Sequence, residues 1–92
     1  MAITFDKRAV VPADVLVTVI DGEWAILNLK TESYFGLDVI GGRMWTVVTA
    51  ADSIQAGYES LKQEFAVDPE ELRRDLGAIL EKLLDHGLLE LQ

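Results

Sequence analysis

Ser53 stands behind Asp52 and ahead of Ile54 at the start of a helical pattern, where a serine hydroxyl can receive a covalently attached arm. The same hydroxyl at a helix N-cap would accept a backbone N–H and stabilise the helix by ~1 kcal/mol, which accounts for the residue without any chemistry. His86 is the sole histidine and cysteine is absent. A Ser-His-Asp relay, a thiolate nucleophile and a histidine or thiolate metal site therefore all lack their parts. His86 falls in the last turn of a predicted helix, where a partly positive imidazole complements the helix dipole. Glu70, Glu71, Glu81 and Asp85 lie on a solvated helix face, and Glu70 with Arg74 forms a modest i, i+4 pair. No Walker loop, dinucleotide fingerprint or metal-ligand spacing is present. The expectation is no catalytic residue, no cofactor and no metal.

The elements that carry these residues fit in 92 positions, room for a single small domain spanning 1–92 with its core at about 15–91. Half the residues are apolar and 26% are charged, the composition of a folded domain. The formal charge of -8 repels phosphate backbones, so nucleic acid is not an expected partner. The first fourteen residues show no signal-peptide pattern, and the apolar run at 15–20 is far too short to span a membrane. The protein is read as cytoplasmic. An acidic chain with Asp-Ser at a helix start has the outline of an acyl carrier modified on Ser53. Carriers, however, are helical bundles, and this chain opens on strands.

Residues 15–20 are rich in β-branched types, and Asp21-Gly22 signals a type I′ turn. Residues 23–29 return as a second strand, 30–33 turn, and 34–37 form a short third strand. The period then becomes helical. Asp38 caps a helix over 39–50, although Gly41 and Gly42 weaken it by roughly 1 kcal/mol each, so packing must compensate. Ser53 caps a second helix, with Ile54, Tyr58, Leu61 and Phe65 on one face. Asp68-Pro69 opens a third helix whose stripe is Leu72, Leu76, Ile79, Leu80, Leu83 and Leu84, ending at Gly87. The apolar tail at 88–91 docks on the core. Trp24, Trp45, Tyr58 and Phe65 are read as core. The fold class is α+β: a three-stranded antiparallel sheet followed by three helices, in a winged-helix-like order.

The third strand is an edge, and 33–37 carries no charge and no proline to blunt it. Gly36 would let another backbone approach. Gly77 interrupts the third helix, which is easier to understand if something packs tightly there. An apolar edge strand beside that helix describes a groove for an added peptide strand. By pattern alone, the C-terminal tail or a second subunit fills the edge equally well, and the oligomer is a monomer or a strand-exchanged dimer.

The run 24–38, WAILNLKTESYFGLD, with Gly42-Arg43-Met44-Trp45 behind it, resembles the PqqD-like domain. So do Asp68-Pro69, Asp75-Leu76 and the closing 83–89, LLDHGLL. The motifs are mostly core pattern; their order and spacing, from about 15 to 91, carry the resemblance. It implies a winged-helix-like RiPP recognition element, a non-catalytic adaptor. Such domains bind the leader segment of a ribosomally made precursor peptide and present it to a leader peptidase or other modifying enzyme. The leader adds a strand to the third strand and lies against the third helix. By position the peptide-binding residues are Ser33, Tyr34, Phe35, Gly36 and Leu37 with Leu72, Arg73, Leu76, Gly77 and Leu80. Arg73 and Arg74 are local exceptions in an acidic protein that could meet leader carboxylates. The Tyr34-Phe35-Gly36-Leu37-Asp38 form and the Asp-Gly hairpin are closer to the lasso peptide branch. The alternative is the branch that delivers its precursor to a radical SAM enzyme in pyrroloquinoline quinone synthesis.

Overall fold

The computed structural model describes residues 3–92; Met1 and Ala2, part of the expected single domain, lie outside the described residues. In chain order the elements are β1 (Ala9–Val10), β2 (Val15–Ile20), β3 (Glu23–Asn28), β4 (Tyr34–Leu37), α1 (Val39–Ala50), α2 (Ile54–Glu64), α3 (Pro69–Asp85) and β5 (Glu90–Leu91). This is the α+β order expected, a three-stranded antiparallel sheet β2-β3-β4 followed by three helices. A small ladder, β1 with β5, was not legible in the sequence.

Each boundary has a local cause. Asp21 and Gly22 both take positive φ, 53° and 81°, as a type I′ turn requires, and they set Ile20 opposite Glu23. Asp38 accepts the Gly41 N–H at 2.7 Å and caps α1. The weak Gly pair of α1 is repaid in packing, because a Cβ at Gly42 would fall on the Trp24 indole. The sheet and α1 can therefore approach more closely than side chains would allow. α3 starts at Asp68 with Pro69 in the first turn. It closes in a Schellman motif: Leu88 N–H reaches the Leu83 carbonyl and Gly87 N–H the Leu84 carbonyl, with Gly87 at φ 70°. Phe65, expected on the face of α2, is instead its extended C-cap.

The core lies between the inner face of the sheet and the helices. Ile26, Val48, Ile54, Leu61, Leu76, Leu83 and Leu88 are almost wholly buried. It also takes in Phe5 and Ala9, upstream of the expected start near residue 15. The N-terminal segment serves α2 directly. The helix's first N–H groups, from Ile54, Gln55 and Ala56, meet the Lys7 carbonyl, the Phe5 carbonyl and Ser53 Oγ. Those orphan donors are thus satisfied in full sequence order. The C-terminal tail docks on the core as expected, with Leu88 and Leu89 buried.

Candidate peptide-binding groove

Among the described residues, β4 is paired with β3 on one side and with no strand on the other. The Asn28 N–H donates to the Ser33 carbonyl at 2.8 Å, which fixes the phase of the antiparallel ladder. Hydrogen-bonded pairs then alternate. Phe35 and Leu37, opposite Ile26 and Trp24, spend their backbone groups on β3, while Tyr34 and Gly36 turn theirs to the open edge. Side chains alternate as well. Leu37 is buried and Phe35 half-buried on the core side, whereas Tyr34 is exposed on the outer face beside Gly36. Ser33 ends the turn, its N–H donating to Thr31 Oγ1.

That turn is organised by a residue the sequence did not single out. Asn28 is buried, and its Oδ1 accepts the N–H groups of Lys30 and Thr31 at 2.9 and 3.1 Å. Its Nδ2 donates to the Gly87 carbonyl at 2.9 Å, tying the end of α3 to the sheet. An Asn that ends an alternating strand and precedes a polar turn is the only signal that could have flagged it.

α3 presents three faces. Leu72, Leu76 and Leu80 are in the core, at most 2% exposed, so they underlie the groove, with Leu72 also contributing to a cleft wall. With 3.6 residues per turn, Asp75, Ile79, Lys82 and His86 flank that stripe on one side, and Arg73 and Gly77 on the other. The His86 ring lies 5.5 Å from that of Phe35, so the first flank faces β4. The second faces the N-terminal segment: the Arg73 guanidinium stacks 3.9 Å over the Phe5 ring and donates to Gln55 Oε1 at 3.1 Å. Arg73 and Gly77 are therefore not brought to the strand. Among the described residues nothing packs tightly at Gly77, where a Cβ would meet nothing within 4 Å. The stripe was readable from the sequence, but which flank turned toward β4 depended on how α3 was rotated against the sheet.

The backbone of β4 runs closer to α1 than to α3. β4 and the end of α3 meet at Phe35 and His86. Three residues beyond β4, Ile40 borders a cleft of about 280 Å³ that extends to Asp75 on the same flank of α3. Ile40, Met44, Phe65, Val67 and Leu72 form its apolar wall, with Glu64, Glu71 and Asp75 at the rim. Glu64 forms a two-pronged pair with Arg43, both contacts at 2.7 Å. The Arg43 hydrogen bond holds the Glu64 carboxyl below the usual carboxylate range and raises the guanidinium in turn. An extended peptide along β4 would meet backbone partners at Tyr34 and Gly36, then an apolar cleft with an acidic mouth.

The two residues considered for chemistry have structural partners. Ser53 Oγ accepts the Ala56 N–H at 3.0 Å, and His86 caps α3 with Nδ1 2.7 Å from the Lys82 carbonyl. Among the described residues no cluster of His, Cys, Asp or Glu could hold a metal ion, and no helix is long and apolar enough to cross a membrane.

Two solved structures share this fold. One, described as TbiB1 in complex with the TbiA(beta) leader peptide, is 32% identical; the match covers 87% of this chain and 93% of that one, with a TM-score of 0.76. The other, lasso peptide synthetase B1 complexed with the leader peptide, is 18% identical; the match covers 92% and 98%, with a TM-score of 0.75, a likeness of fold. No curated protein sequence matches significantly. The family model for coenzyme PQQ synthesis protein D (PqqD) matches residues 23–89. The chain belongs to the PqqD family and is a PqqD-like RiPP recognition element.

Proposed function

We propose that the protein is a non-catalytic, cytoplasmic adaptor that binds the leader segment of a ribosomally synthesised precursor peptide by strand addition to β4. It presents that peptide to a leader peptidase or other modifying enzyme in lasso peptide biosynthesis. The observation that carries this reading is the open edge of β4: among the described residues no strand pairs the backbone groups of Tyr34 and Gly36, and an apolar cleft begins at Ile40, three residues beyond β4. Backbone pairing supplies affinity, and the cleft supplies selectivity for apolar anchors. The 32% identical TbiB1, in complex with a leader peptide, supports the same use of this fold. The lasso branch rests on the Tyr34–Leu37 sequence form and on the fold shared with lasso peptide synthetase B1. Holding the precursor raises its effective concentration at the enzyme.

A ¹⁵N HSQC titration with the leader half of the precursor encoded nearest the gene tests this. Shifts concentrated in residues 33–37 and along Asp75, Ile79, Lys82 and His86 are expected. A well-dispersed spectrum that does not move would overturn the reading for that peptide. The family model's description makes a pyrroloquinoline quinone precursor the second peptide to titrate.

A further inference from the structure

The flank of α3 that faces β4 carries its charges in a fixed order. Asp75, Ile79, Lys82 and His86 fall within about 60° of one another around the helix, and Glu71 adjoins them one turn before Asp75. Asp75 and Lys82 are about 10.5 Å apart along the axis, too far to pair with each other. Glu71, Asp75 and Lys82 are exposed and enter no ion pair among the described residues. Glu64 differs, because its charge is spent on Arg43. Asp85, one turn on from Lys82, is exposed and lies about 60° further round the helix, turned from β4. The surroundings of the two ends differ as well. Glu71 and Asp75 stand at the mouth of the apolar cleft. Lys82 stands one turn before His86, whose ring meets Phe35. Half-buried Ile79 lies between them. A strand laid along β4 therefore faces a wall that is negative, then apolar, then positive.

We propose that this order of charge selects the leader and fixes its direction: Glu71 and Asp75 take a Lys or Arg, Ile79 an apolar side chain, and Lys82 an Asp or Glu. The proposal rests on the leader-binding reading and names the pattern of the peptide that the same groove takes. β4 and α3 run in opposite directions, since Phe35 meets His86 while Ile40, beyond β4, shares the cleft with Asp75. Antiparallel pairing is the more stable per residue. An antiparallel strand enters at the cleft and leaves past Lys82. Strands turn every second side chain to one face, so three successive side chains on the α3 side span about 13 Å. Flexible Lys, Arg or Glu side chains close the difference from the spacing of Asp75 and Lys82. From N- to C-terminus the pattern is basic-x-apolar-x-acidic. A peptide laid the other way sets like charges together at both ends, and a slip of one residue turns its anchors from the wall. Backbone pairing is blind to sequence, so these side chains supply discrimination that the bare edge of β4 lacks.

The test measures anisotropy of the fluorescein-labelled leader half of the precursor encoded nearest the gene, with a set of leaders in which each charged residue is reversed in turn. The full chain is used as wild type, Asp75→Lys and Lys82→Glu, each shown to be folded by circular dichroism. Each variant should bind the natural leader about threefold or more weakly at low ionic strength, and the loss should shrink at high salt. Reversing one basic leader residue should restore binding to Asp75→Lys. Reversing one acidic residue, at the fourth position C-terminal to it, should restore binding to Lys82→Glu. Glu90→Lys, at an exposed position on β5, makes the same change of net charge as Asp75→Lys and should alter affinity by less than about twofold. Affinity unchanged in both groove variants, or changed as much by Glu90→Lys, overturns the proposal and leaves strand addition at β4 standing. Restoring residues that are absent, or that occur in the opposite order, overturn it too. Wild type that binds no leader sinks the leader reading, and this proposal with it.

Discussion

Asn28 Nδ2 donates to the carbonyl of Gly87, 59 residues away, at 2.9 Å. One buried side chain thereby joins the β3-β4 turn to the Schellman close of α3, the two elements whose separation defines the groove. Removing it leaves part-buried backbone partners unpaired on both, so Asn28→Ala should destabilise the protein by about 1–3 kcal/mol. Chemical denaturation measures this directly. Leader affinity should fall as well, because the spacing of β4 and α3 is set by this contact.

Gly36→Pro removes one of the outward backbone donors of β4 without touching the bonds of Phe35 and Leu37 to β3. Fluorescence anisotropy with labelled leader should show at least about fivefold weaker binding, the equivalent of one lost hydrogen bond, at unchanged circular dichroism. Affinity equal to wild type would place the peptide elsewhere. Leu76→Asp is not a substitute for this test. Leu76 is fully buried, so the variant puts a carboxylate in the core and reports on folding.

Gly77→Ala should stabilise α3 by about 0.5–1 kcal/mol, since a Cβ there meets open space and alanine is the better helix former. Thermal melting should rise and leader affinity should not change, because Gly77 is on the flank turned from β4. A loss of leader binding would return that flank to the site.

Acidification should act through Glu64. Arg43 holds its carboxyl below the ordinary range in the folded protein. The pair therefore stabilises fully above the unfolded glutamate range, near pH 4.3, and that contribution is lost as pH falls through the lower folded value. Melting curves of Glu64→Gln should show a smaller drop on acidification than wild type. The difference will be small, because the pair is solvent-exposed.

How much of this was legible follows from where each signal resides. Asp21-Gly22, Asp68-Pro69 and Gly87 act on their own turns, so the sequence revealed those boundaries directly. The edge character of β4 followed from strand order. The β1-β5 ladder did not, because two-residue strands show no alternation and their pairing depends on residues at the opposite end of the chain. Asn28 was missed for the same reason: its chief partner is distant. For Arg73 and Gly77, periodicity located the buried leucines, but only tertiary packing decided which flank met Phe35 and which met Phe5.

The β1-β5 ladder works as a clasp. Arg8 and Gln92 exchange both of their backbone hydrogen bonds, at 2.8 and 2.9 Å, and directly upstream of that clasp the Lys7 and Phe5 carbonyls accept the first N–H groups of α2. Unfastening β5 would therefore loosen the start of an internal helix, so fraying of the C-terminal strand and fraying of α2 are one event.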